Sequence, residues 1–461
     1  MEQTKKIFIM VLPSFGHINP ITGLASELVL KQKYEIFFYG NDEHKDVIER
    51  TGAIFRQYEN MLISESKIKP LNEEKHDAME GFFLKMINYC YKSVPTLIQD
   101  LELEKPDLII FDHMSLPARF AIKILETRFQ KGLIKNPPPP AVNFYTCFAS
   151  KKGVYPNDEQ IKEMAGSGIQ SLTSLAKIIY KQTIFSWKFG INIYNPIEFI
   201  NKPEKLNIVG VSPELHPFSE HFDSSFKFVG PCISEKVRKS QNFEPKLKEI
   251  LDLFPIVGSD LTKRDEQSNL RLIYASLGTV FNNNLFIFDM IIEAIRLYNE
   301  DKGEENSYDS KVVISVGKDN MKIYDEKVET DENFHLPENV LIMASVPQID
   351  VLERASVFIT HCGMNSACEA IQYGVPVICL PIKADQPLVA HRLADDLNLG
   401  IRFDPLNVTP KDLKSALDKI LRENSYLERM LSFTKISHEY NGSASSANLI
   451  EQFLNELYSS N

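Results

Sequence analysis

Long apolar runs are missing from this chain: no window approaches the roughly 20 consecutive apolar residues of a membrane helix, so no membrane partner is expected. The start, MEQTKK, leads straight into a strand-like run, Ile7 to Leu12, that is too short for a secretory core and lacks a cleavage site. Six cysteines (90, 147, 232, 362, 368 and 379) are scattered without CxxC or metal-ligand spacing. That argues against a disulfide framework or zinc site and suits a reducing compartment, so a cytoplasmic location is expected. Dense basic clusters are absent and the formal net charge is −11, which speaks against a nucleic-acid surface. The first strand–helix junction carries PSFGHINP and not GxGxxG, which disfavours a dinucleotide-dependent oxidoreductase.

What is present is ordinary soluble material, 43% hydrophobic and 25% charged residues. At 461 residues the chain is too long for one core. Its pattern alternates strand and helix in both halves. Lys6 to Leu12 reads as a strand, PSFGHINP as a tight loop, and Ile21 to Leu30 as a helix with apolar positions at 21, 24, 25 and 28. Further strand-like runs end at Asp112 and near Thr146. A charged, weakly periodic stretch follows, and the alternation restarts at Arg271. The expected division is residues 1–231, an interdomain linker at 232–270, a second domain over 271–440 and a last helix in 441–461. Repeated strand–helix units imply right-handed βαβ crossovers and parallel sheets. The fold class is therefore α/β, with two lobes facing a cleft.

One stretch stands out, HCGMNSACEAIQYGVPVICLPIKADQ at 361–386. The β-branched run Val357–Thr360 predicts a buried strand, His361 and Gly363 a turn, and Asn365 or Ser366 the cap of a helix over about 367–373. Such a helix start presents unpaired N–H groups and favours an anion by roughly 0.3–2 kcal/mol. A phosphate is the natural guest, with Asp385 and Gln386 able to bind a polyol at the next strand end. The spacing Ser366 to Glu369 also fits a capping box, in which Glu369 serves only the helix start. Local physics leaves both open.

With its surroundings, VPQIDVLERASVFITHCGMNSACEAIQYGVPVICLPIKADQ closely resembles the signature of UDP-dependent glycosyltransferases, and PSFGHINP, PDLIIFDHMSLPARFA and ASLGT resemble the family in the same order. The resemblance spans nearly the whole chain. It implies the GT-B fold, two Rossmann-like parallel-sheet domains across a cleft, the first for an acceptor and the second for the nucleotide sugar, with a final helix returning to the first. By this resemblance His361 contacts the diphosphate, with Gly363, Asn365 and Ser366 at the helix terminus. Glu369 holds the ribose hydroxyls, Asp385 and Gln386 the sugar, and Ser276 and Thr279 approach the phosphates and sugar. Val346 and Gln348 match positions around the uracil and ribose. Most relatives carry a uracil-stacking tryptophan where this chain has Ser345; Phe281 is a candidate replacement ring.

The resemblance also makes His17 the catalytic base and Asp112 the carboxylate that orients it. An acceptor hydroxyl needs such a base as the new bond forms, and a buried carboxylate stabilises the resulting imidazolium. No DxD-type carboxylate pair is placed for a divalent ion, so neither a metal nor a separate cofactor is expected. The implied reaction moves a hexose, most often glucose, from a UDP-sugar to a small lipophilic acceptor, with inversion. First-half aromatics (Phe15, Phe82, Phe83, Phe144, Tyr145, with Tyr89, Phe148 and Trp187) are candidates for an apolar acceptor pocket. A monomer or weak dimer is expected. The alternatives are a degenerate lipophile-binding relative and a sugar-nucleotide epimerase of the same fold.

Overall fold

The computed structural model describes residues 4–58, 78–151, 153–157, 160, 172–191, 202–240, 242–254, 256, 269–280, 282–300, 308–332 and 334–459, without the side chains of 78–83, 85 and 172–175. The chain divides into two compact units. Among the described residues, one holds those up to Val237 together with 440–459, and the other those from Arg238 to Glu439.

In the first unit the strands are β1 (Lys5–Met10), β2 (Tyr34–Gly40), β3 (Ile54–Gln57), β4 (Leu108–Asp112), β5 (Ala141–Tyr145), β6 (Asn207–Val209) and β7 (Phe226–Phe228). They form one parallel sheet in the order β3-β2-β1-β4-β5-β6-β7. Apolar residues cover both faces because helices pack on each side. Hence β4, LIIFD, is buried from end to end. On one face α1 (Phe15–Leu30) and the C-terminal helix Gly442–Ser459 meet through Leu24, Leu28, Ile450 and Leu454. On the other, α2 (Ala78–Glu104) and α3 (Leu116–Gln130) bring Val94, Leu97, Phe120 and Ile124 against Phe8 and Phe111. Helix α4 (Leu172–Phe189) follows, and its Phe185 joins the same core.

PSFGHINP does not stay a loop as the sequence pattern predicts. Helix α1 starts at Phe15, after an extended Ser14, and takes in His17 and Pro20. The prolines and glycine suggested a break, but the helix is held by the burial of Ile18, Ile21, Leu24, Ala25 and Leu28; Pro20, its sixth residue, lies past the first four N–H groups and forfeits the bond to the Gly16 carbonyl.

The second unit repeats the plan. Its strands are β8 (Leu270–Ser276), β9 (Asp309–Ser315), β10 (Val340–Met343), β11 (Val357–Thr360), β12 (Val377–Cys379) and β13 (Gly400–Arg402), parallel in the order β10-β9-β8-β11-β12-β13. Its helices include α5 (Leu285–Glu300), α6 (Gln348–Leu352), α7 (Met364–Gln372), α8 (Gln386–His391), α9 (Pro410–Arg422) and α10 (Asn424–His438). Ile287, Ile291 and Ile295 of α5 pack with Leu413, Leu417 and Ile420 of α9 over β8 and β9.

Helix α7 begins three residues before the expected Ala367, and its N-cap is Gly363, which has no side chain to cap with. Asn365 and Ser366 thus lie within the first turn, and the capping box between Ser366 and Glu369 does not form. In each sheet the strand order reverses at one place, between β1 and β4 and between β8 and β11. At such a switch point adjacent crossovers leave in opposite directions and open a crevice at the strand carboxyl ends.

Candidate active site

The first switch point holds the expected base. His17, in the first turn of α1, and Asp112, the last residue of β4, are 95 positions apart in sequence, yet His17 Nδ1 and Asp112 Oδ2 lie 2.5 Å apart. Parallel register brings this about: Met10 pairs with Phe111, so the chain leaving β1 passes directly over Asp112, whose Oδ2 also accepts the Leu12 N–H at 3.2 Å. Thr146 Oγ1, just after β5, sits 3.2 Å from the same His17 nitrogen. Asp112 is wholly buried, whereas the His17 side chain keeps 21% of its surface. Burial works to raise the Asp112 carboxyl. The charge and hydrogen bond of His17, then His113 and the Leu12 N–H, outweigh it and hold the group below the ordinary carboxylate range. Asp112 is therefore an anion at neutral pH. It fixes the proton on Nδ1, which makes Nε2 the basic nitrogen of His17.

Beside this pair lies His113. Its Nε2 is 3.2 Å from Cys147 Sγ, its ring stacks on Tyr145 at 5.3 Å and 14°, and burial pushes it down to about 3. It is a neutral imidazole. Sequence reasoning passed over Thr146, His113 and Cys147 because nothing local links them to His17.

The second switch point holds the residues expected to bind an anion. Ser276 ends β8 and its Oγ accepts the Gly278 N–H at 3.3 Å, while Thr279 beyond it is exposed. The His361 ring lies between two glycine backbones. A Cβ on Gly278 (φ +75°) would come 2.6 Å from its Nε2, and one on Gly363 2.8 Å, so both positions need the missing side chain. Burial pushes His361 down to about 4, with the Ser276 backbone pulling the other way. It is thus a neutral donor in the free protein and not a cation. Cys362 beside it adopts φ +61°, a left-handed conformation that costs about 1 kcal/mol or more and turns the chain into α7.

At the α7 terminus the Met364 N–H already donates to Asp385 Oδ2 at 3.3 Å, so a carboxylate occupies one of the positions expected for phosphate. Gln386 is buried, and its Oε1 accepts the N–H groups of Ile382 and Lys383 at 2.8 and 3.0 Å. Its carbonyl thus holds the loop, leaving the amide nitrogen as its donor. Glu369 has no exposed surface. Its Oε1 accepts from Asn365 Nδ2 at 2.9 Å and forms an ion pair with Arg238 Nη1 at 2.7 Å, and its Oε2 accepts from Gln348 Nε2 at 2.5 Å. Gln348 is itself held: Tyr274 donates to its Oε1 at 3.1 Å, and its Nε2 also reaches Ser366 Oγ at 3.2 Å. The Gln348 side chain therefore positions Glu369. Arg238 was invisible in the sequence, lying in the stretch read as linker. Ser345 is exposed and Val346 half-buried.

The aromatic expectations fare unevenly. Phe15 is half-buried, 4.6 Å from the His44 ring, and Tyr145 lies against His113 next to the dyad. Phe144 departs from expectation. Strand alternation turns it to the α1 side of the sheet, where it is fully buried among Ile7, Ile9 and Ile208 and is a core residue. Trp187 is 84% exposed. The side chains of Phe82 and Phe83 and the whole of Phe281 lie outside the described residues. Among the described residues no group of three or more His, Cys, Asp or Glu could hold a metal ion, and no helix is long and apolar enough to cross a membrane.

Comparison with known proteins places this geometry. Residues 324–441, which contain Gln348, His361, Glu369, Asp385 and Gln386, match the family model described as UDP-glucoronosyl and UDP-glucosyl transferase. The chain is 30% identical over 453 residues to the NDP-glycosyltransferase YjiC of Bacillus licheniformis, covering 98% of each chain. Its fold matches the solved glycotransferase of kitacinnamycin with a TM-score of 0.71 at 22% identity, over 98% of this chain and 99% of that one. CalG4, the calicheamicin glycosyltransferase, matches at 0.69 and 21%, over 99% of both chains. Both are likenesses of fold, and the fold they share is GT-B. Two parallel sheets with polar sites at their switch points, together with full-length similarity to a glycosyltransferase, place the chain in the UDP-glycosyltransferase family.

Proposed function

We propose that this glycosyltransferase moves a hexose, glucose by preference, from a UDP-sugar to a hydroxyl of a small lipophilic acceptor, with inversion at the anomeric carbon. The observation that carries the reading is the 2.5 Å contact between buried, ionised Asp112 and His17. A carboxylate held there sets the imidazole tautomer and stabilises its protonated form, which is what a general base requires. As the acceptor oxygen bonds to the anomeric carbon, its proton passes to His17 Nε2. The bond from that carbon to the diphosphate breaks with its electron pair on UDP. One displacement gives one inversion.

The departing charge is met in the second unit by the first-turn amides of α7 and by His361, a preorganised electrostatic arrangement. Glu369 accepts from the ribose, and Asp385 and Gln386 from and to the sugar, Asp385 leaving the Met364 N–H to the phosphate. The reading includes no metal and no cofactor besides the donor, a cytoplasmic location supported by six cysteines of which none is in a disulfide, and a monomer or weak dimer.

The test is incubation with UDP-glucose, UDP-galactose, UDP-GlcNAc and UDP-glucuronate across a panel of phenols, with EDTA present, following UDP release and glycoside formation. UDP release fastest with UDP-glucose, matched by an inverted glycoside, is the expected result. An altered sugar nucleotide would mean an epimerase, and acceptor binding without UDP release a non-catalytic lipophile carrier.

A further inference from the structure

Helix α4 turns one face inwards. Phe185 packs on Phe120 at 4.6 Å and on Tyr91 at 5.1 Å, and Ile178, two turns earlier, is buried as well. At about 100° per residue the opposite face carries Ala176, Ile179, Tyr180, Thr183, Ile184 and Trp187, all exposed. Trp187 keeps 84% of its surface, Tyr180 67% and Ile179 53%. Single exposed apolar residues are ordinary, but a stripe of large ones along one helix, two of them aromatic, marks a surface that meets something. The charge beside it is of one sign. From Leu172 to Gly190 there is no acidic residue, and Lys177, Lys181 and Lys188 recur at i, i+4 and i+11 along one border of the stripe. Lys181 Nζ donates to Asn88 at 2.6 Å, and Lys188 lies over the Tyr91 and Phe189 rings at 5.3 and 5.2 Å. Lys131 Nζ donates to the Gly190 carbonyl at 3.1 Å, which sets the chain after α3 beside the end of α4. That chain, 129–140, adds the exposed Lys131, Leu133 and Lys135 and again no acid.

We propose that this face rests on an anionic lipid bilayer, with α4 lying in the plane of the surface. The tryptophan, tyrosine and isoleucine side chains enter the boundary between headgroups and acyl chains, and the lysines meet the lipid phosphates, as in interfacial amphipathic helices. Long lysine stems reach the headgroups while the apolar stripe sits deeper. A second copy of the chain fits this face poorly, since it would bring lysines against lysines with no acid in either segment to pair them. The net charge of −11 does not prevent the approach, because charges further away than the Debye length, about 8 Å at physiological salt, are largely screened. A search for long apolar runs passes over such a helix, whose apolar residues recur every three or four positions. The association goes beyond sugar transfer and uses no residue of either polar site.

Trp187 is the only tryptophan in the chain, so its fluorescence reports this surface alone. The full chain is titrated with vesicles of mixed phosphatidylglycerol and phosphatidylcholine, and with phosphatidylcholine alone, following emission and co-sedimentation. On the mixed vesicles the emission moves to the blue and the protein sediments; binding is at least about tenfold weaker on phosphatidylcholine alone and in high salt. Lys177→Gln combined with Lys188→Gln lowers the partition coefficient at least about tenfold, at roughly fivefold per lysine. Ile179→Ser combined with Ile184→Ser, both exposed positions, lowers it several-fold and keeps the tryptophan as reporter. No binding to the mixed vesicles overturns the proposal. So does co-sedimentation without an emission shift, which puts the contact elsewhere, and so does equal binding to phosphatidylcholine, which removes the anionic surface. An emission shift that follows protein concentration without lipid means that a second copy covers the face, and it overturns the proposal too. Both pairs of variants with unchanged circular dichroism and wild-type partition would overturn the role of α4; should either pair fail to fold, the wild-type emission on the two vesicle types decides.

Discussion

Replacing Asp112 by Asn keeps the shape of the side chain and removes its charge. In the structure that charge lies against His17 Nδ1 at 2.5 Å, fully buried. Two unit charges about 4 Å apart at an effective dielectric near 20 attract by about 4 kcal/mol, and a hydrogen bond to a charged group contributes about 1.5–3 kcal/mol. These describe the same contact and are not summed. The imidazolium that forms as the acceptor loses its proton therefore loses about 3–4 kcal/mol of stabilisation. At about 1.4 kcal/mol per decade, kcat falls roughly 100- to 1,000-fold. Asparagine can also turn its amide towards Nδ1 and favour the wrong tautomer, which lowers the rate further.

The assay is steady-state UDP release at saturating donor, with UDP affinity measured calorimetrically beside it. UDP binding should be unchanged, because its proposed contacts lie in the other unit. His17→Ala should behave alike, and the double variant should be no worse than His17→Ala, since Asp112 acts only through the ring. An Asp112→Asn enzyme within about threefold of wild type would refute the argument.

Ser345→Trp supplies the ring that most relatives stack on uracil; stacking of about 1–3 kcal/mol predicts UDP binding roughly tenfold tighter. A change under about twofold by calorimetry would mean that the base is held elsewhere. Stability should also fall in acid. Burial pushes His44 and His361 down to about 4 and His113 to about 3, below the unfolded value near 6.5. Between these limits the unfolded chain binds more protons, so the contribution is complete above about pH 6.5 and lost as pH falls towards 4, at about 1–2 kcal/mol per histidine at pH 5. Denaturant midpoints at pH 7 and pH 5 measure this, and a midpoint unchanged or higher at pH 5 would contradict it.

The sequence by itself determined the alternation of strand and helix, the two parallel sheets, and the stretch from His361 to Gln386 as the candidate place for an anion. Those features are written in periods of two and 3.6 and in residues adjacent along the chain, so a linear reading reaches them. It misplaced the start of α1 because proline and glycine read as loop markers, whereas burial of the apolar face of α1 carries the helix through Pro20.

Tertiary structure alone decided which groups meet. That Asp112 touches His17 follows from the register of β4 beside β1, and that Thr146 joins them follows from β5 lying next in the sheet. Aromatic type did not separate Phe144, in the core, from Tyr145, beside the dyad; that depended on which face of the sheet each turns to. Glu369 looked like a capping residue or a ribose contact. Its partners, Arg238, Gln348 and Asn365, come partly from segments far apart in sequence, and no local pattern encodes their convergence.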